Sequence, residues 1–85
     1  MGAQEWMTVV SVLGAALTMA AGAIGAAIGE GRIAAAAMDA LARQPDESGA
    51  ITRTLFVSLA MVESTAIFCL VISLILLFAN PFVAG

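Results

Sequence analysis

The sequence predicts an all-α membrane protein in which two transmembrane helices form a hairpin and identical hairpins assemble into a homo-oligomeric ring. Three observations support this fold class: the composition, two long segments without charge, and the different residue types of those segments. Of the 85 residues, 62% are hydrophobic and 11% are charged, whereas a soluble domain has about 45–50% and about 25%. We expect a single domain over residues 1–85, because its apolar content exceeds what a small core could bury.

The first uncharged segment covers residues 6–29 and predicts a helix from about residue 5 to about residue 42. The segment exceeds the roughly 20 apolar residues that span a bilayer, and the alanine-rich residues after it also favour helix. No basic segment precedes it, and it is too long for the apolar part of a signal peptide. We therefore expect no cleaved signal peptide.

Residues 43–49 are predicted to form a polar loop between the two helices. Pro45 cannot continue a helix, and it disfavours helical backbone at Gln44. Asp46 is expected to cap the second helix, because a carboxylate accepts hydrogen bonds from the free amide groups at a helix N terminus.

The second helix is predicted from about residue 50 to about residue 79, followed by a tail over residues 80–85. Residues 64–85 carry no charge, and Glu63 interrupts the apolar segment without ending it. Pro81 marks the end of the helix, since proline cannot continue it.

The loop is predicted to face the cytoplasm and both chain termini the periplasm, in a multi-pass protein of the inner (cell) membrane of a bacterium. All three basic residues, at positions 32, 43 and 53, are near the loop, and cytoplasmic loops are enriched in basic residues. Trp6 and Phe82 are expected to lie together at the opposite membrane face, where aromatic side chains suit the interface.

The two helices differ in residue size, and this difference predicts the ring. The first is mostly glycine and alanine on every side, whereas the second is mostly bulky. Lipid gives helices no hydrophobic reason to associate, so small residues mark places where backbones pack closely. One bulky partner cannot surround a helix that is small on all sides. We therefore expect a ring with the small helices inside; ordinary packing of an alanine-rich helix is the simpler alternative.

Glu63 is the residue that indicates a function. It lies about 25 Å along the helix from Asn80, well inside the membrane, where a charge costs about 2.5–3.5 kcal/mol. Ionisable residues at such depth usually belong to an ion or proton pathway. A structural hydrogen bond to a neighbouring helix is the alternative role.

Glu30 is predicted to lie at the same depth as Glu63, because both are equally far from a fold point between Asp46 and Glu47. Two neighbouring carboxylates resist ionising together, so they either share a proton or hold a cation between them. The alternative places Glu30 at the membrane edge beside Arg32, whose side chain is expected to reach the headgroups.

Ser64, Thr65 and the carbonyl group of Met61 are close to Glu63 in sequence and carry the oxygen atoms that a hard cation prefers as ligands. Ser64 points about 100° away from Glu63 around the helix, so one chain cannot easily direct both at one ion. Two adjacent copies can do so. A proton needs only the carboxylate, and hydroxyl groups in membrane helices also simply bond to the backbone.

The composition excludes several classes of protein. A net charge of −3 argues against nucleic-acid binding. The chain has no histidine, which is the usual general base and metal ligand. Its single cysteine, Cys69, is expected to pack as a small apolar residue toward lipid or a neighbour. We expect neither enzyme activity in the isolated chain nor an organic cofactor.

The chain closely resembles the c subunits (proteolipids) of F-type ATP synthases over nearly its whole length. That family has an inner helix with alternating glycines, a polar loop, a carboxylate in the outer helix and a characteristic end to that helix. In this chain these features are residues 23–31, Ala42-Arg43-Gln44-Pro45, Glu63 and Ala79-Asn80-Pro81-Phe82. Each is weak alone, but together, in this order and spacing, they are highly specific.

The resemblance implies a rotor ring of identical subunits within the membrane lipid. The ring turns against the a subunit of the stator and couples ion binding at Glu63 to ATP synthesis or hydrolysis. Arg43, Gln44 and Pro45 match the loop residues that touch the central stalk, which contains the gamma and epsilon subunits. The ring-packing positions are those of the glycine series: Ala23, Gly25, Ala27, Gly29 and Gly31.

Residues 61–68 also resemble the sodium signature of that family. The resemblance implies Na+ ligands at Glu63, Glu30, Ser64 and the Met61 carbonyl, with a water held by Thr65. A bound sodium ion would require one carboxyl to stay protonated for neutrality, so sodium and protons should compete. An H+-coupled rotor ring is the alternative, and a pore-forming or structural hairpin is an interpretation from another class.

The chain departs from the family pattern in two places. Phe68 stands where sodium-type members often have tyrosine, so a hydroxyl that would steady Glu63 is missing. Ala23 and Ala27 interrupt the glycine series. Their methyl groups should push the inner helices apart, so we expect a ring with more subunits than in glycine-patterned relatives. The N-ATPase subclass pairs such features and is a candidate assignment.

Overall fold

The protein folds as an antiparallel hairpin of two long α-helices, in a computed structural model that describes residues 2–83. Helix α1 covers Ala3–Arg43, a 3-10 turn covers Pro45–Glu47, and helix α2 covers Ser48–Phe78. The hairpin measures 64 × 16 × 9 Å. The predicted all-α, two-helix fold is confirmed. Residues 84 and 85 of the predicted tail lie outside the described residues.

The connection between the helices is shorter than the sequence predicted. Helix α1 continues through Arg43 and α2 already begins at Ser48, so residues 44–47 make the whole turn. Gln44 has the non-helical backbone (φ −134°, ψ 68°) that a following proline favours. Its amide nitrogen still donates to the carbonyl oxygen of Ala40 at 2.8 Å, which closes the last turn of α1.

The expected cap by Asp46 is wrong. The residue that precedes α2 is Glu47, and it makes no capping hydrogen bond through its side chain. The 3-10 turn replaces the cap: the Ser48 amide donates to the Pro45 carbonyl, and the Glu47 amide donates to the Gln44 carbonyl at 3.0 Å. Backbone carbonyl groups therefore satisfy amides that a carboxylate would otherwise bind.

Asn80 closes the far end of α2. Its Nδ2 donates to the carbonyl oxygen of Leu76 at 3.1 Å, and its Oδ1 accepts from the amide nitrogen of Phe82 at 2.8 Å. These two bonds join the last helical turn to the residues beyond the break. Phe82 and Trp6 line the same shallow surface depression, so the two aromatic residues share one end of the hairpin as predicted.

The two helices pack through small side chains. The buried residues within 2–83 are Ala15, Ala26, Ala66 and Ser73. Cys69 packs against Gly22 of α1, because a Cβ atom at position 22 would lie only 2.6 Å from the Cys69 sulfur. Cys69 therefore packs against a neighbouring helix, which is one of the two environments expected for it.

Most bulky side chains lie on the outside of the hairpin, including Phe68 (70% exposed) and Phe78 (82% exposed). Both helices are long and apolar enough to cross a bilayer. Helix α1, with 41 residues, is about 60 Å long, roughly twice the thickness of the hydrocarbon core. A surface this apolar needs lipid or further copies of the chain to cover it.

Candidate ion-binding site

Glu30 and Glu63 meet across the interface between α1 and α2. Their carboxyl groups lie close enough to interact, and Oε1 of Glu30 is buried without a donor from the residues that the structure describes. Two ionised carboxylates have no hydrogen to offer each other. The contact therefore requires a proton on one of the two groups or a cation between them.

The register of the two helices brings Glu30 near Glu63. A Cβ atom at Gly29, next to Glu30 on α1, would lie 3.6 Å from Cγ1 of Val62, which is next to Glu63 on α2. That distance is an ordinary van der Waals contact, so the helices touch directly beside the two carboxyl groups.

The Ser64 hydroxyl is hydrogen-bonded within its own helix. Its Oγ donates to the carbonyl oxygen of Ala60 at 2.9 Å. That bond uses the hydrogen of the hydroxyl and leaves the lone pairs of the oxygen free to coordinate a cation. Ser64 can therefore keep its hydrogen bond to the backbone and coordinate a cation through the same hydroxyl oxygen.

Met61, Glu63, Ser64 and Thr65 are all exposed in the single chain. Residues 2–83 contain no group of three or more acidic, cysteine or histidine side chains able to hold a metal ion. Among the described residues, one chain therefore offers a carboxyl pair at this place.

The glycine series divides into two groups. Gly25 and Gly31 have nothing within 4 Å of the position that a Cβ would occupy, whereas Gly29 contacts α2 of its own chain. Ala23 and Ala27 are exposed as well. Four of the five predicted packing positions are therefore open to another copy, and the fifth already packs within the hairpin.

The predicted stalk-contact residues form the tip of the hairpin. Arg43, Gln44 and Pro45 are all exposed. The Arg43 Nε atom lies 3.3 Å from Oδ2 of Asp39, one turn earlier on α1, and both side chains are largely exposed. Such a surface pair is weak, about 0.3–0.5 kcal/mol, so Arg43 remains free to exchange Asp39 for another partner.

Sequence reasoning missed two residues of the interface, Ser73 and Gly22. The Ser73 hydroxyl donates to the carbonyl oxygen of Ala15 at 2.8 Å, across the two helices, and is only 4% exposed. A serine within a bulky apolar segment was a usable signal, because a buried hydroxyl in a membrane helix needs a partner. No signal in the sequence separates Gly22 from the other glycines of α1.

Two apolar helices long enough to span a membrane, with a carboxyl pair between them, define a class of protein: an ion-translocating membrane proteolipid. The comparisons with known proteins agree. The model of the family of ATP synthase C subunits matches residues 13–76. The chain belongs to this family.

Relatives match over most of their own length. An ATP synthase c subunit, numbered 2, from Cereibacter sphaeroides is 59% identical over 78 residues, which cover 92% of this chain and 94% of the relative. An ATP synthase c subunit from Petrotoga mobilis is 51% identical over 70 residues, covering 82% and 73%. One from a Synechococcus strain is 53% identical over 72 residues, covering 85% and 89%.

Family membership establishes the general role of the chain. It is a non-catalytic, ion-translocating rotor subunit of an ATP synthase, and it works in the membrane as part of a ring together with the other subunits of that enzyme. The family assignment decides against the pore-forming and the purely structural interpretations of the hairpin.

Proposed function

We propose that the ring carries Na+ across the membrane, in competition with protons, on Glu63 with the help of Glu30. The observation that supports this most directly is the contact between the two carboxyl groups, one of which has a buried oxygen without a donor among residues 2–83. A sodium ion between them balances one negative charge, and a proton balances the other.

The remaining ligands in this proposal come from groups next to Glu63. Ser64 supplies its hydroxyl oxygen, whose hydrogen is already bound to Ala60. Met61 supplies its backbone carbonyl oxygen, and Thr65 holds a water molecule. Since Ser64 points to another side of the helix than Glu63, the site is completed between two neighbouring copies. Hard cations prefer such an all-oxygen shell.

A proton-coupled ring is the second candidate. The contact between Glu30 and Glu63 is complete with a single proton, and a proton needs no further ligand. Phe68 also lacks the hydroxyl that would fix a carboxylate for sodium, and its side chain is 70% exposed.

The positions of Glu63 and of the turn indicate where the other subunits of the enzyme bind. We propose that the a subunit of the stator contacts α2 near Glu63, and that the gamma and epsilon subunits of the central stalk contact Arg43, Gln44 and Pro45 at the tip. The three arginines near the turn favour a cytoplasmic turn and periplasmic termini in a bacterial membrane. We also propose the N-ATPase subclass, on the basis of Ala23 and Ala27 in the glycine series.

A carbodiimide that modifies neutral carboxyl groups tests the ion. Purified rings are labelled at fixed pH with rising NaCl or, as the ionic-strength control, KCl, and the modified residue is identified by mass spectrometry. We expect labelling of Glu63, slowed by millimolar sodium and not by potassium. A Glu63→Gln ring provides the unlabelled control. Labelling that follows pH but ignores sodium selects the proton-coupled ring, whereas an unlabelled Glu63 contradicts both.

A further inference from the structure

Ser73, on α2, makes a side-chain hydrogen bond to the backbone of α1. Its Oγ lies 2.8 Å from the carbonyl oxygen of Ala15, and the residue is 4% exposed. The Ala15 carbonyl has a second lone pair, so it accepts this bond in addition to a bond within α1. Around a buried site in an apolar span there is no water to replace a lost partner.

This bond limits how far the helices slide along each other. A movement of α2 by one residue along its axis is about 1.5 Å, which lengthens a bond that crosses between the helices to about 3.2 Å and bends it, so the bond weakens. The contact of Gly22 with Cys69 is steric and sets how closely the helices approach. The hydroxyl–carbonyl bond is directional and sets their relative depth.

Both ends of the bond are connected to the carboxyl pair by unbroken helix. Ser73 and Glu63 lie on α2, about 15 Å apart along the axis, and Ala15 and Glu30 lie on α1. We propose that Ser73 is a positioning residue for ion binding: it fixes the depth of α2 against α1 and thereby holds Glu63 opposite Glu30. This inference rests on the proposed function of that pair.

The charged groups around Glu63 are few, so a change in the labelling of Glu63 reports on this geometry. Glu30 faces it from α1, and Arg32 follows two residues later on the same helix. On α2, Glu63 is the only charged residue between Arg53 and the end of the helix.

The test compares Ser73→Ala with Ser73→Thr, which keeps a hydroxyl, and with Ser58→Ala as a control on the same helix. Assembled enzyme in membranes is labelled with the carbodiimide over a range of pH and NaCl, and the amount of intact ring is measured separately. We expect normal ring yield in all three variants. In Ser73→Ala alone, the pH profile of Glu63 labelling departs from that of the wild type, and protection by sodium weakens about tenfold, as expected for ligands displaced by about 1 Å.

A wild-type profile in Ser73→Ala overturns the inference and leaves the proposed function intact. If that variant does not assemble, Ser73→Cys decides, because a thiol makes a longer and weaker bond: a partial shift supports positioning and an unchanged profile overturns it. Absence of Glu63 labelling in the wild-type enzyme contradicts the proposed function, and this inference with it.

Discussion

Gly22 and Cys69 occupy a single space between the two helices: a Cβ atom on Gly22 would lie 2.6 Å from the sulfur and 2.8 Å from the Cβ of Cys69. Real Cβ atoms essentially never approach other atoms so closely. One of the two positions must therefore lack a side chain if the helices are to keep their separation, and in this chain it is position 22.

A Gly22→Ala substitution should therefore destabilise the hairpin. Overpacking of this kind costs about 1–3 kcal/mol, so we expect purified rings to dissociate at lower temperature and to form in lower yield. The second substitution Cys69→Gly, added to Gly22→Ala, should restore much of the stability because it moves the empty position to the other helix. Gly49→Ala is the control, since nothing lies within 4 Å of a Cβ there. Wild-type stability of the single Gly22→Ala variant would show that the helices separate at little cost.

Removal of the Ser64 hydroxyl should separate sodium binding from proton binding. A Ser64→Ala ring loses one oxygen ligand, so sodium should protect Glu63 from carbodiimide about tenfold less well, the effect of about 1.4 kcal/mol for one polar contact. Labelling in the absence of sodium should stay unchanged, because a proton does not use that ligand. The matched control is Thr8→Ala, which removes the same kind of bond to the backbone one turn back, from Thr8 Oγ1 to the Gln4 carbonyl at 3.0 Å. Equal sodium protection in both variants would remove Ser64 from the site.

The role of Glu30 is tested by two substitutions of similar size. Glu30→Gln keeps an oxygen and gains a hydrogen-bond donor toward Glu63, so sodium protection should remain within about threefold of wild type. Glu30→Leu has neither the oxygen nor the hydrogen-bond donor, so the protection of Glu63 by sodium should fall by about tenfold or more. The measurement is the sodium concentration that halves the rate of Glu63 labelling. Equal values for the two variants would reduce Glu30 to a packing residue.

The number of subunits in the ring is predicted to be larger than in relatives with glycine throughout the series. Ala23 and Ala27 are exposed in the single chain, so their methyl groups meet a neighbouring copy and not α2. Replacing Ala23 and Ala27 by glycine should let the inner helices approach each other and lower the number of subunits in the ring. Ala16→Gly, which lies outside the glycine series, should leave that number unchanged. Imaging of purified rings gives the count directly. An ordinary or smaller count in the wild-type ring would refute the prediction.

The fold was predictable because lipid imposes strict conditions on sequence. The two uncharged segments, the proline at position 45 and the break at Asn80 defined both helices to within two residues. The juxtaposition of Glu30 with Glu63 followed from equal distance to the turn. The cap of α2 was predicted wrongly because a 3-10 turn and an Asp46 cap satisfy the same amide groups, and the sequence does not rank them.

The site was predictable only in part, because its partners depend on distances that residue types do not encode. Glu63 is conspicuous as a single charge within an apolar helix, but the bond from Ser73 to Ala15 uses a backbone carbonyl, which every residue possesses. Likewise, Gly22 differs from Gly25 only in what α2 places opposite it. Which carbonyl group accepts the Ser73 bond and which glycine faces Cys69 are decided by the packing of the two helices. That packing depends on the whole interface and not on a local motif.

The thinness of the hairpin affects the lifetime of copies of the chain that have not joined a ring. A slab 9 Å deep, with three alanines and one serine as the buried residues within 2–83, has scarcely any interior of its own. A newly inserted copy buries most of its apolar surface only when further copies of the chain pack against it. Unassembled copies should therefore be short-lived substrates for membrane proteases, and overproduction of this chain should raise turnover before it raises the number of finished rotors.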